Sequence, residues 1–396
     1  MSNVQDLAPI DTEITLSGLT TDPYSIYKRL RVAAPVVRVP AVGRTLLTKA
    51  ADTRYVKDNP LLFSSSDPGT PMERAFQAKT LMRRDGADHL RLRNAMRPTF
   101  SARNIKDVWV PAYTQIAHEY VSRLPRGEVV DLFSVLAAPV AARCLGHVMG
   151  IQSASDEDLQ LWSQTLIDGA GNFGLSDELF ARSDAVNVDI NACISSRVDQ
   201  YRAEPDQSAL SIMLNEGEPL EMEHIVSNIK IAIGGGINEP RDALLSALFG
   251  LLNNPEQKQA AVESGDLWDA AFEEAIRWVA PIQISSRLVK EDTKIRGCLL
   301  PKGDVVMTIQ ASANHDEELY TDAHLFDLFR SKAAHQAFGN GPHFCLGTHI
   351  ARRLIGGILL PMLFDRFPNM QLETASDVVW SGFAFRGPLN LPVRLE

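Results

Sequence analysis

A single stretch constrains this chain more than any other: Phe338-Gly339-Asn340-Gly341-Pro342-His343-Phe344-Cys345-Leu346-Gly347, followed at once by an apolar-periodic run from Thr348 to Phe364. Glycines at 339, 341 and 347 let the backbone turn tightly and approach a flat ligand. The run behind them reads as a helix, whose first turn offers unpaired N–H groups and the positive end of a dipole. Such a place stabilises sulfur as an anion. Two other readings remain open on these residues alone. His343, Cys345 and His349 are a partial zinc set, although a closed site takes four ligands and no second Cys/His pair lies nearby. Cys345 is otherwise an ordinary buried cysteine.

The rest of the chain is the sequence of a large globular protein, with 396 residues, 45% of them hydrophobic and 22% charged. No Pro/Gly/Ser-rich linker or repeat divides it, so one domain over 1–396 is expected. The four cysteines, at 144, 193, 298 and 345, are far apart and lack CxxC pairing. That spacing fits reduced thiols in a cytoplasm. Met1 to Asp6 carry neither the basic nor the apolar part of an export signal. The run Ile225 to Leu252 is too broken by charge to span a membrane. A net charge of −10 argues against nucleic acid as partner.

Helical patterns dominate. Asp22-Pro23 is a capping residue followed by proline at the first helical position, and it opens a helix through Leu30. Val36 to Val39 and Arg44 to Thr48 flank a turn at Gly43 and read as a hairpin. Ile284 to Leu288, Lys294 to Ile295 and Val305 to Thr308 are further short strands. The expected class is therefore mainly α with small β-sheets, the β-rich parts lying at about 32–50 and 284–310. Phe63 to Pro71 and Asp168 to Ser176 read as candidate lids. The second contains a literal G-x-G-x-x-G, but a helical pattern and not a strand feeds it, so it is no dinucleotide site.

With Phe338, Gly339, Gly341, Cys345 and Gly347 in these places, the loop resembles the haem-binding signature of the cytochrome P-450 superfamily. Three further regions strengthen the resemblance. Glu274 and Arg277, on one helical face 71 residues before Cys345, look like the E-x-x-R motif. At the place of the third basic residue that usually completes its network stands Leu325, so that either His324 beside it substitutes or the network is reduced. His89 and Arg93 match H-x-x-x-R, and (i, i+4) spacing puts both on one face. With Arg287 and His335 they would hold the haem propionates, and Phe338 and Gly339 would complete the haem-binding loop. Gly234-Gly235-Gly236-Ile237-Asn238-Glu239-Pro240 matches the kinked helix over the iron. Gly235 and Gly236 then take the oxygen-pocket places, Asn238 that of the usual acid and Glu239 that of the usual alcohol. Three glycines and a proline inside a single helix would be costly, about 1 kcal/mol per glycine and about 3 kcal/mol for proline.

The resemblance implies a triangular-prism fold, haem b between the long distal helix and the cysteine helix, and Cys345 as axial iron ligand. An axial thiolate favours O–O cleavage. It implies a monooxygenase using dioxygen and electrons from a ferredoxin or flavodoxin with an NAD(P)H-dependent reductase. Arg91, Arg97, Arg352 and Arg353 would form the basic docking patch. Glu239, raised in pKa by burial, would donate the proton that a threonine normally relays, with Asn238 orienting it. The Asn-Glu-Pro run and the turn Gly382 to Pro388 are similar to bacterial members that O-demethylate small methoxyaromatics. Phe385, Ile282, Ile284 and Phe173 would then line a small apolar pocket. Peroxide-driven turnover and a non-catalytic haem-based sensor are the alternatives.

Overall fold

The computed structural model describes residues 7–396 apart from Pro219 and Lys332. Met1 to Asp6, where no export signal is expected, lie outside the described residues. After a short helix at Leu16–Thr21, helix α1 (Pro23–Ala33) starts as its sequence requires: the Asp22 side chain accepts the Ser25 N–H, and Pro23 needs no partner for a missing N–H. The hairpin follows as β1 (Val36–Val39) and β2 (Arg44–Leu47), with Gly43 left-handed at φ 63°. After α2 (Ala50–Asp58) comes a strand where a lid was expected, β3 (Phe63–Ser64). Strands β4 (Ile284–Val289) and β5 (Val305–Ile309) complete a five-stranded sheet in the order β1-β2-β5-β4-β3. Its one parallel pairing joins β2 to β5, with Thr45 opposite Val306. Residues 261 positions apart in sequence are thus paired in one sheet.

The helical part includes α3 (Pro71–Phe76), α4 (Gly86–Met96), α5 (Ala138–Met149), α6 (Asp156–Ala170), α7 (Asp177–Ala203), α8 (Met222–Gly236), α9 (Asn238–Leu252), α10 (Trp268–Val279) and α11 (Thr348–Leu354), with further helices between them, Val110–Ser122 and Pro255–Ser264 among these. Its core is apolar and largely sealed, with Leu245, Leu248, Leu251, Phe272 and Phe364 at or near zero exposure. The run after the cysteine is helical as expected, α11 passing through a π-helical turn at Ile355–Leu359 into Leu360–Arg366.

Two expectations are corrected. Both candidate lids are pinned. Ser65 N–H donates to Asp85 Oδ1 at 3.0 Å, and buried Asp67 pairs with Arg44 at 3.1 Å. Helix α6 runs on to Ala170, and Asn172 then closes a turn by bonding both the N–H and the carbonyl of Ser176. The second correction concerns the helix from 222 to 252, which is two helices. Ile237 breaks it at φ −116°, so Pro240 falls in the first turn of α9, where its missing N–H costs nothing. The penalty expected from a proline in a helix interior does not arise.

Candidate active site

The interior cavity, about 380 Å³, is walled by the cysteine loop on one side and by the α8–α9 junction on the other. Gly339 and Gly341 are left-handed, at φ 69° and 67°, and a Cβ on Gly341 would come within 2.4 Å of the Lys57 carbonyl. These glycines let the loop turn beneath α2. The Phe338 carbonyl accepts the Cys345 N–H at 2.9 Å, and Thr348 Oγ1 donates to the Cys345 carbonyl at 2.9 Å. The sulfur opens onto the cavity. Burial pushes its pKa up, while hydrogen bonds from the Gly347 N–H and Thr348 pull against that. A thiol in this place needs a neighbouring cation to become a thiolate, and its stabilising donors are already aimed at it.

Behind the loop, α10 carries a fully formed ionic network. Arg277 binds Glu274 through two bonds of 2.7 Å and donates to the carbonyls of Asn314, Ala323 and Leu325. The third basic residue is Arg330, whose Nε reaches Glu274 Oε1 at 3.1 Å. Neither Leu325 nor His324 supplies a side chain: Leu325 contributes its carbonyl to both arginines, and His324 its carbonyl to Trp278. Arg330 lies only five residues beyond the expected position, and an arginine search over that loop would have found it.

Cations gather at one edge of the cavity. Arg93 and Arg287 line it as expected, and Lys57, Arg83 and His343 line it too. Lys57 Nζ and Arg83 Nε are buried with no hydrogen-bond partner. Burial, joined by the Arg287 charge, holds the Lys57 ammonium well below its ordinary range. Three buried cations that repel one another call for anions. His89 stands behind this edge, buried against the His343 ring at 4.0 Å between centroids. Burial and the His343 charge lower it to about 4. His335 faces elsewhere, with Nε2 on Glu273 Oε2 at 2.9 Å, and does not line the cavity. Lys57 carried no motif, and only the fold brings its helix to the loop.

On the opposite wall the three glycines have separate tasks. A Cβ at Gly234 would lie 2.6 Å from Phe76 and one at Gly236 2.5 Å from Leu145, so these two permit packing. Gly235 is open, its nearest neighbour being Glu239 Oε1 at 3.9 Å. Both oxygens of Glu239 are buried without a partner, and burial raises its pKa to about 8. Asn238 is turned away from it: its Oδ1 accepts from Arg241 at 2.7 Å and it does not line the cavity. Apolar side chains supply most of the remaining wall, Phe173, Ile282, Ile284 and Phe385 among them, and Ile282 bridges to Phe385 in antiparallel fashion. Arg97 and Arg353 are exposed and Arg91 half-buried, whereas Arg352 is held by Glu273 at 2.5 Å.

Residues 175–371 match the pattern of the family described as Cytochrome P450. The putative cytochrome P-450 YjiB of Bacillus subtilis is 27% identical over 90% of both chains. The vitamin D(3) 25-hydroxylase of Pseudonocardia autotrophica is 27% identical over 94% of both. Among solved structures, P-450 BioI in complex with an acyl carrier protein ligated to hexadec-9Z-enoic acid superposes with a TM-score of 0.85. It is 25% identical over 96% of this chain and 100% of that one.

The chain belongs to the cytochrome P-450 family. Its fold is the P-450 fold, its class of activity is monooxygenation, and its cofactor is haem b. Dioxygen and a redox partner follow from that activity. The residues present suit the cofactor: a cysteine with sulfur donors on one wall, and unpartnered Lys57 and Arg83 where two carboxylates would otherwise lack cations. No helix among the described residues is long and apolar enough to cross a membrane.

Proposed function

We propose that Cys345 is the axial ligand of this P-450, that Lys57, Arg83, Arg93, Arg287 and His343 hold the haem propionates, and that Glu239 is the proton donor. When bound, haem b supplies the iron that activates dioxygen. The observation that carries the reading is the carboxyl of Glu239: buried, unpartnered, raised to about 8, beside the only glycine of its run that leaves open space. At neutral pH it holds its proton and presents it to the cavity. Gly235 keeps the wall open for a small reactant there, and Pro240 fixes the backbone that aims Glu239.

The substrate is a small apolar molecule, of which a methoxyaromatic fits the wall best. Phe173 and Phe385 offer rings, and Ile282 and Ile284 a flat aliphatic side. O-Demethylation would consume the ether, dioxygen and two electrons with two protons, and yield a phenol, formaldehyde and water. The electrons come from a ferredoxin or flavodoxin steered to Arg97 and Arg353, with Arg91 at the edge of the patch. Four unpaired cysteines suit a reducing cytoplasm. We also read residues 1–396 as one domain, since β2 pairs with β5 and the cysteine loop packs under α2.

The spectrum of the reduced carbon monoxide complex tests the ligand, and methoxyaromatics that shift ferric iron to high spin test the pocket. A spectrum without the red-shifted thiolate band would remove Cys345 from its role. Formaldehyde release no greater than that from a control lacking a methoxy group would remove the substrate class.

A further inference from the structure

We propose that Glu273 is a positioning residue for the cysteine loop, acting through His335 where the loop begins and Arg352 beyond its end. This rests on Cys345 being the axial ligand. Glu273 precedes Glu274 on α10 and belongs to a separate set of contacts. Its Oε2 takes the His335 Nε2 at 2.9 Å. Its two oxygens also grip Arg352, Oε1 from Nε at 2.5 Å and Oε2 from Nη2 at 3.1 Å. His335 Nδ1 accepts the Ala337 N–H at 3.2 Å, which leaves Nε2 as the nitrogen that carries hydrogen toward the carboxylate.

One carboxylate on a third element therefore ties both ends of the loop. The Arg352 guanidinium lies over the Phe338 ring, 5.2 Å from its centroid, and the Phe338 carbonyl accepts the N–H of Cys345. A continuous set of contacts thus runs from α10 through Arg352 and Phe338 to the backbone of the cysteine. Burial raises the Glu273 carboxyl, but the bonds from His335 and Arg352 more than offset it and hold it at about 2. The grip is ionic at every working pH. Glu273 also neutralises a guanidinium close enough to Cys345 for the two to interact. Charged partners of this kind fix the direction of a metal ligand and the electron density it supplies.

The test uses the reduced, carbon monoxide-bound holoprotein in mild guanidinium and times the loss of the red-shifted thiolate band. Glu273→Gln and Arg352→Gln should each lose it about tenfold faster than wild type. The double variant should be no faster than the faster single variant, because both changes open one contact. If Glu273→Gln does not accumulate with haem, His335→Gln is judged by the same criterion. Half-times indistinguishable from wild type, multiplying effects in the double variant, or band loss that keeps step with far-ultraviolet unfolding would each overturn the proposal. Failure of the wild type to show the band at all is a different outcome, and sinks the Cys345 assignment instead.

Discussion

Behind the cysteine loop, Glu273 and Glu274 bind Arg277, Arg330, His335 and Arg352 among them, whereas across the cavity both oxygens of Glu239 and the amide nitrogen of Asn238 have no partner. The first region is a polar network, buried at Glu274 and Arg277 and half-buried at Glu273 and Arg352, whose charges are paired, and such networks rigidify. The second keeps a buried acid unpaired, which costs stability and leaves a proton available. On the proposed assignment, the contrast separates the side that holds the axial cysteine still from the side that supplies the proton.

The largest effect is expected from breaking the satisfied side. Glu274→Gln would strand Arg277 and Arg330 in the interior and should lower unfolding free energy by about 3–5 kcal/mol, read from the denaturant midpoint. A loss within the range of exposed pairs would show that the network is dispensable. On the unsatisfied side, Glu239→Gln should cut product formed per NAD(P)H consumed by about a hundredfold, the lower end for a general acid. Its pH dependence has a definite sign. The folded state holds the Glu239 proton more tightly than the unfolded chain, so that stabilisation is complete below about 4.5 and fades as pH rises through about 8. Proton donation should fade over the same upper range, and both trends should flatten in Glu239→Gln. A wild-type profile level across pH 8 would place the donor elsewhere.

The smallest effect concerns the edge between the two sides. Lys57→Met removes an unpartnered buried ammonium, so the protein without haem should gain stability while haem retention weakens by about 1.5–3 kcal/mol. Competition with apomyoglobin measures it. Retention unchanged from wild type would leave Arg83, Arg93 and Arg287 as the sufficient cations.

Local rules made much of this legible. Asp22-Pro23 and the strands around Gly43 depend on neighbours in sequence, and both formed as expected. Glycines that need positive φ, at 339 and 341, mark the cysteine loop for the same reason. The helix break at Ile237 was legible as a glycine and proline cluster, but its placing of Pro240 in a first turn was not, since register depends on which residues Phe76 and Leu145 meet.

Side-chain direction was decided only by packing. His335 matched a propionate position yet turned to Glu273 on another element, and Asn238 matched the acid yet turned to Arg241, three residues on in its own helix. Arg330 entered the Glu274 network while Leu325 offered only its carbonyl. Lys57, distant in sequence and without a motif, reached the cavity because Gly341 lets the loop close under its helix. The sequence by itself determined the cysteine loop, the helical class and the carboxylate at 239, since these follow from residue type and short spacing. The tertiary structure alone decided which charges meet across elements, because such pairing depends on distances that no local pattern encodes.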